Sequence, residues 1–208
     1  LRKIGENIIM NENYHTALND KNHHELVVHG TEYYENNFCK IFQYDFIPSK
    51  TLRKEYDECD FLYVEVPYPQ GIKIFDERAN IKQTRSLDDF ASALNEIINI
   101  GKPIGITTSK FLHKKLPQPI AKYDMKIHIG NVTFAIYNTN PNMQFKTSSE
   151  LMQYVANHYQ CLGDFCCGYG FPLLQFLDYG GKKIIASDYN SKCITVLKQK
   201  MKVYEKNI

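Results

Sequence analysis

The pattern of apolar and polar positions changes near Cys39. Before that point, residues 1–38 are polar, with scattered histidines and little sustained periodicity, which predicts an N-terminal extension with short elements. From Cys39 onward, short apolar runs alternate with stretches in which apolar residues recur at helical spacing. Alternating strands and helices are typical of an α/β domain, so we predict one domain over residues 39–208.

Short apolar runs predict about seven strands. The run at 61–66 is apolar almost throughout, which suits a strand covered on both faces of a sheet. Two β-prone runs flank Gly130 and Asn131, and this arrangement predicts an antiparallel hairpin with its turn at these two residues. The predicted strands begin near residues 40, 61, 103, 126, 132, 161 and 183.

Capping residues mark the starts of the predicted helices. Ser86 precedes two acids and an apolar face that begins at Phe90. Thr147 and Glu150 have the spacing of a capping box. Pro172 is placed to open a further helix, and apolar residues at positions 194, 197 and 201 mark the inner face of a final one.

The segment 161–188 has the pattern of a nucleoside-binding unit. A strand ends at Asp164, the chain turns through 168–170, and the strand after the next helix ends at Asp188. Glycine has no Cβ, so the backbone of such a turn can approach a ligand, and the second acid can accept both ribose hydroxyls. Leu173 stands where a dinucleotide fingerprint has its third glycine. The pattern therefore favours an adenosine-type ligand over a dinucleotide.

Composition excludes several classes of partner. The chain has 208 residues with 25 Lys and Arg against 23 Asp and Glu, a balance that indicates no polyanionic partner by itself. Its apolar stretches are far shorter than the roughly 20 residues of a membrane-spanning helix, and its start lacks a secretory core. We expect a cytoplasmic protein with no membrane partner. The six cysteines predict no disulfide framework, and a zinc site at His158, Cys161, Cys166 and Cys167 is a less favoured alternative to no metal.

Two C-terminal segments resemble motifs of the DNA amino-methyltransferases. Residues 162–170, Leu-Gly-Asp-Phe-Cys-Cys-Gly-Tyr-Gly, resemble motif I, V-L-D-P-F-C-G-S-G. Asp188 and Tyr189, followed by a helical pattern, resemble motif II. The predicted helix at 147–159 lies where the circularly permuted, beta-class-like members have motif X.

The permuted members have their motifs III and IV near the N-terminus, and this chain has similar segments there. Tyr44-Asp45-Phe46 resembles motif III. Glu65-Val66-Pro67-Tyr68 resembles the catalytic D-P-P-Y motif, with Glu in place of Asp and Val in place of the first Pro. The resemblance covers roughly residues 39–204.

The resemblance implies a Rossmann-like, doubly wound α/β fold with a mostly parallel seven-stranded sheet and one antiparallel hairpin. It implies S-adenosylmethionine (SAM) as cofactor and methylation of an exocyclic amino group of a DNA base, adenine N6 rather than cytosine N4, in a restriction-modification setting. Glu65 and the Val66 carbonyl would orient the amino group, and Tyr68 would stack on the flipped base. The cofactor-binding residues implied are Asp45, Phe46, Asp164, Cys166, Cys167, Gly168, Gly170, Asp188 and Tyr189.

Departures from the family pattern leave alternatives open. Glu65 has one methylene more than Asp, and Tyr169 stands at a position that is usually small. Residues 138–146 are too few for a target-recognition domain, and three cations on the predicted loop 69–85, at 78, 82 and 85, could contact phosphates or be solvated. The alternative is a catalytically impaired subunit that binds a nucleic-acid or protein partner. RNA as substrate and a second, target-recognising subunit also stay open.

Overall fold

The computed structural model describes residues 33–50, 52–78, 85–127 and 130–206. In these ranges the strands are β1 (Tyr33–Glu35), β2 (Cys39–Gln43), β3 (Phe61–Glu65), β4 (Ile104–Thr108), β5 (Ala121–Ile127), β6 (Gly130–Tyr137), β7 (Cys161–Asp164) and β8 (Lys183–Asp188). The helices are α1 (Phe46–Ser49), α2 (Pro69–Arg78), α3 (Leu87–Ile98), α4 (Lys110–His113), α5 (Ser148–His158), α6 (Phe171–Asp178) and α7 (Ser191–Glu205). A 3₁₀ helix spans Lys54–Glu58.

The strands form a single mixed sheet in the order β1-β2-β8-β7-β3-β4-β6-β5. The five central strands, from β2 to β4 in this order, are parallel, and the pairs at both edges are antiparallel. This arrangement confirms the predicted α/β class with a parallel core and a hairpin. The sheet has one strand more than the seven predicted. The additional strand is β1, whose three polar or aromatic residues lie in the predicted N-terminal extension and have no apolar pattern.

The sheet brings together segments that are far apart in the sequence. Strand β7 pairs with β3, so that Leu62 lies opposite Gly163, about 100 residues further along the chain. From β7 the chain passes through α6 to β8 on one side, whereas from β3 it passes through α2 and α3 to β4 on the other side. The strand order therefore reverses between β7 and β3, and ligands of open α/β sheets bind at the carboxyl ends of the strands at such a point.

Apolar side chains cover both faces of the sheet. In β3, Phe61 and Tyr63 belong to the core under α5, α6 and α7, whereas Leu62 and Val64 belong to the core under α1, α2 and α3. Successive side chains of a strand point to opposite faces, so a strand covered on both faces needs an unbroken apolar run. This confirms the interpretation of residues 61–66.

Two predicted helix starts are confirmed in atomic detail. The Ser86 hydroxyl accepts a hydrogen bond from the Asp89 amide, and the Asp89 carboxylate accepts one from the Ser86 amide, which is a complete capping box. The Thr147 hydroxyl likewise accepts from the Glu150 amide. The Glu150 carboxylate accepts from the amide of Lys146 instead of Thr147, one residue earlier than in a capping box.

Two local predictions were wrong. The hairpin exists, but Gly130 pairs with Ile127 and Asn131 with Lys126, because the ladder between β5 and β6 continues through these residues. The two residues between the strands, His128 and Ile129, lie outside the described residues. The predicted loop at 69–85 contains helix α2, since Pro69 supplies a favourable first helical position.

No helix in the described ranges is long and apolar enough to span a membrane. Over the same residues, no group of three or more His, Cys, Asp or Glu side chains is arranged to hold a metal ion.

Candidate functional site

A glycine bend connects β7 to α6 at the carboxyl edge of the sheet. Gly168 has φ +51° and Gly170 has φ +77°, in the left-handed region that favours glycine. Apart from its two chain neighbours, a Cβ on Gly168 would meet no atom within 4 Å, whereas a Cβ on Gly170 would lie 2.3 Å from Cδ1 of Leu197. Gly168 therefore presents its backbone to open space. Gly170 instead permits close packing against α7.

Asp188, at the end of β8, is bonded to this bend. Its carboxylate accepts one hydrogen bond from the Gly168 amide at 2.9 Å and another from the Asn190 amide at 2.9 Å. Burial raises the pKa of Asp188 to about 6, although both amide hydrogen bonds oppose this effect. An ionised carboxylate has about four acceptor positions, so the two amides leave capacity for the hydroxyls of a ligand next to Gly168.

Asp164, at the end of β7, is buried in the centre of the site. Its carboxylate accepts a hydrogen bond from the Cys166 amide at 3.1 Å, which stabilises the first part of the bend. Burial raises the pKa of Asp164 well above its ordinary value, and the charges of Glu65 and Asp188 raise it further. Glu65, Asp164 and Asp188 stand at the ends of three adjacent parallel strands, β3, β7 and β8.

Further contacts join the bend to β8 and to the 3₁₀ helix. The Cys167 amide donates to the Ser187 carbonyl at 3.0 Å, and the side chain of Cys167 is buried. The Tyr56 hydroxyl donates to the Asp164 carbonyl at 3.1 Å and lies 2.6 Å from the Ser187 hydroxyl. Buried polar groups with partners of this kind fix local geometry.

Tyr169, between the two glycines, is turned towards helix α7. Its carbonyl accepts a hydrogen bond from Lys200 Nζ at 3.2 Å, and the same Nζ lies 5.8 Å from the centre of the Tyr169 ring. The ring therefore packs towards Lys200.

Asp45 belongs to a buried ion cluster with Arg85 and Asp76. Asp45 caps α1 by accepting from the Ile47 amide at 3.1 Å, and Nη1 of Arg85 lies 2.9 Å from both Asp45 carboxylate oxygens. Asp76, which is fully buried in α2, accepts from the Arg85 amide at 2.7 Å and from Arg85 Nε at 2.8 Å. Arg85 is therefore neither a solvated cation nor free to contact phosphates, because two carboxylates bind it. Lys82 lies outside the described residues.

The ring of Tyr189 is buried next to this cluster. The Arg85 guanidinium carbon lies 4.5 Å from the centre of the Tyr189 ring. The Tyr189 hydroxyl is buried and has no hydrogen-bond partner in the described part of the chain, and burial raises its pKa well above the ordinary value. Phe46, by contrast, is a core residue, with its ring centre 4.9 Å from that of Phe165.

The segment from Glu65 to Tyr68 leaves the end of β3 next to β4. Glu65 is half-buried, and burial raises its pKa. The Val66 amide donates to the Thr107 carbonyl at 2.9 Å, and its side chain packs in the core. Tyr68, which follows Pro67, accepts the first helical hydrogen bond of α2 from Ile72. Its hydroxyl is buried without a partner among the residues described, and burial together with Glu65 raises its pKa to about 12.

The segments that resemble motif III and motif II, which are far apart in the sequence, lie side by side at one edge of the sheet. The Tyr44 amide donates to the Asp188 carbonyl at 3.0 Å, which joins the segment after β2 directly to the end of β8.

Sequence reasoning missed Asp76 and the pairing of Arg85. Ile72 and Asp76 lie four residues apart on α2, and a charged residue on the same helical face as a buried apolar one was the available signal.

The fold and this site define a doubly wound α/β protein with a bend open to ligand at the switch point of the sheet. No family model and no curated protein matches the sequence. The fold is similar to TTHA0409 from Thermus thermophilus, provisionally assigned as a DNA modification methylase, with a TM-score of 0.50, 9% identity, and coverage of 79% of this chain and 94% of that chain.

The same protein in complex with SAM matches with a TM-score of 0.50 at 10% identity, over 79% of this chain and 93% of that chain. M1.HpyAVI matches with a TM-score of 0.46 at 13% identity, over 79% of this chain and 98% of that chain. The similarity to TTHA0409 confirms the predicted fold class.

Proposed function

We propose that the chain is a SAM-dependent methyltransferase that acts on an exocyclic amino group of a DNA base, adenine N6 rather than cytosine N4. The observation that carries the proposal is the bond between Asp188 and the amide of Gly168, next to open space. This places an acceptor for ribose hydroxyls beside a backbone that a ligand can approach. TTHA0409, whose fold is similar, has been solved with SAM.

The residues around the bend fit SAM. Asp188 would accept the ribose hydroxyls, Tyr189 would contact the purine ring, and Asp45 would accept the adenine amino group. Asp164 and the backbone of the bend would line the methionine end. When bound, SAM supplies an electrophilic methyl group on a sulfonium. Of the other residues implied, Phe46, Cys166, Cys167 and Gly170 would shape the site through packing and backbone contacts.

The end of β3 would bind the target base. Glu65 and the Val66 carbonyl would accept the hydrogens of the amino group and hold its nitrogen in line with the methyl group, with Pro67 shaping the turn. Tyr68 would stack on the base, and its unpartnered hydroxyl is available to a substrate or a bound water. The pairing of β3 with β7, which places Tyr63 opposite Asp164, supports the proximity of base site and cofactor site.

The order of the motifs supports a permuted arrangement. The segments that resemble motifs III and IV come first in the chain, yet they follow β2 and β3, next to the strands of motifs I and II. We retain residues 39–208 as the methyltransferase-like domain and 1–38 as an extension, of which residues 33–35 form β1. Only nine residues, 138–146, separate β6 from Thr147, so target recognition would come from a second subunit or from residues 1–38, or be absent. We retain a cytoplasmic location as part of the proposal.

One observation favours the alternative, a subunit that binds a partner without catalysis. The chain has Glu65 and Val66 where the D-P-P-Y motif has Asp and the first Pro, and the Val66 side chain packs in the core. Wild-type methyl transfer that is lost in Glu65→Ala would exclude this alternative.

Calorimetric titration with SAM tests the proposal. We expect the wild type to bind one SAM and Asp188→Asn to bind at least about tenfold more weakly, because a hydrogen bond to a charged group contributes about 1.5–3 kcal/mol. Glu96→Ala, which removes an exposed acid of α3, is the control and should bind as the wild type does. Thermal unfolding verifies that each variant is folded. A wild type that binds no SAM, or equal affinities of the wild type and Asp188→Asn, would contradict the proposal.

A further inference from the structure

A single guanidinium joins three segments of the site. Arg85 contacts Asp45 after β2, Asp76 in α2 and the ring of Tyr189 after β8. Only 10% of its side-chain surface is exposed. Since the three segments come from different parts of the sequence, Arg85 fixes the position of the Asp45 carboxylate relative to the Tyr189 ring.

Asp76 holds Arg85 in this position. Its buried carboxylate accepts from both the amide and Nε of Arg85, at 2.7 and 2.8 Å, so the residue is held at its backbone and at its side chain. Moving Arg85 away would leave a buried carboxylate without its cation, which costs several kcal/mol in proteins. Arg85 is therefore held in a fixed position at the side of the site.

The same contacts limit the number of hydrogen bonds that Asp45 can accept from a ligand. Of its roughly four acceptor positions, the Ile47 amide and the two contacts of Arg85 Nη1 occupy three. One acceptor position remains on a carboxylate whose partner, Arg85, also contacts the Tyr189 ring. A 6-amino group on a purine can donate a hydrogen bond to this acceptor position. A 6-oxo purine has an oxygen instead, which is itself an acceptor, so no hydrogen bond forms and the two oxygens repel each other.

We infer that Arg85 is a positioning residue that holds Asp45 as an acceptor next to Tyr189 and thereby selects a 6-amino purine over a 6-oxo purine. This inference rests on the proposed function, since the purine is the adenine of SAM. Arg85, in the loop before α3, thus affects cofactor specificity through Asp45. It does not contact the reacting atoms.

The test compares the affinities of S-adenosylhomocysteine and S-inosylhomocysteine by calorimetry. We expect the wild type to bind the adenosyl compound at least about tenfold more tightly, the effect of one hydrogen bond to a charged group. Arg85→Lys keeps the charge but lacks the planar fork, and it should reduce this ratio at least about threefold. Asp45→Asn, which can donate as well as accept, should bring the ratio close to one.

Two further variants complete the design. Arg85→Gln combined with Asp76→Asn removes the cation without leaving Asp76 as an unpaired carboxylate, and it should also bring the ratio close to one. Arg53→Ala removes an arginine that likewise has a carboxylate partner, Glu55, and an aromatic contact, Phe42, and it should keep the wild-type ratio. A purely structural role of Arg85 would weaken both ligands equally and leave the ratio unchanged.

The possible failures are distinguishable. A wild type that binds neither compound would overturn the proposed function and this inference together. Binding with the same ratio in the wild type, Arg85→Lys and the double variant would overturn the inference alone.

Discussion

The two halves of the site differ in how their polar groups are satisfied. In the half formed by the glycine bend, the carboxylates of Asp164 and Asp188 accept hydrogen bonds from backbone amides of the protein itself. In the half formed by the end of β3, the Tyr68 hydroxyl is buried and has no partner in the ranges described. The acids of the first half are therefore held in place by the protein, whereas in the second half Tyr68 has polar capacity that a substrate can use. Changes in the first should alter cofactor affinity, and changes in the second should alter the rate.

The largest expected effect comes from Glu65. Replacement by Ala removes the acceptor for the amino group of the target base, and kcat for methyl transfer should fall at least about a hundredfold. The affinity for SAM should change less than about twofold, because Glu65 lies outside the glycine bend. The measurement is tritium transfer to DNA at saturating SAM, with Glu96→Ala as control. Loss of SAM affinity in parallel with the rate would contradict the division into two halves.

Substitutions at the two glycines of the bend should differ in their effects on stability and on SAM binding. Gly170→Ala introduces a Cβ 2.3 Å from Leu197 at positive φ and should lower the free energy of unfolding by about 2–4 kcal/mol. Gly168→Ala points into open space and should cost only about 1 kcal/mol, for its positive φ. It should nevertheless weaken SAM binding, because the methyl group occupies the approach to the backbone. Urea unfolding and SAM titration of both variants measure this contrast, and equal destabilisation would refute it.

The pH dependence of SAM binding should depend on Asp188. Its pKa of about 6 in the free protein means that the carboxylate is ionised at neutral pH and protonated under acidic conditions. Ribose hydroxyls donate to the ionised form, so affinity is retained above the pKa and falls as the pH drops through it. Between pH 7 and pH 5 the affinity should fall about tenfold. In Asp188→Asn, the fall in SAM affinity between pH 7 and pH 5 should vanish. An identical pH dependence in this variant would assign the titration to another group.

The smallest effect is expected at Tyr68. Tyr68→Phe keeps the ring that would stack on the base and removes a buried hydroxyl without a partner in the described chain. Stability should stay within about 0.5 kcal/mol or increase slightly, because no hydrogen bond of the hydroxyl is lost. The KM for DNA should change less than about fivefold, whereas Tyr68→Ala should raise it more. A large loss of stability in Tyr68→Phe would indicate that the hydroxyl has a structural partner.

Local patterns allowed much of the fold and part of the site to be predicted. The bend between Asp164 and Asp188 was predictable, because an acid at a strand end and glycines in a turn are local requirements of backbone geometry. The ion cluster was not, because the pairing of Arg85 with Asp45 and Asp76 joins residues that are 40 and 9 positions apart in the sequence. Strand β1 has only three residues and no apolar alternation, so its pairing with β2 was equally unpredictable. The role of each site residue stays a prediction.

The most direct test of the account is the chemical identity of the labelled product. Wild-type protein, tritiated SAM and DNA without adenine methylation are incubated, and the DNA is digested to nucleosides. The account predicts tritium in N6-methyldeoxyadenosine with the wild type and none with Glu65→Ala. Tritium in no nucleoside, from a wild-type protein that binds SAM and is assayed both alone and with its natural partner, would contradict it.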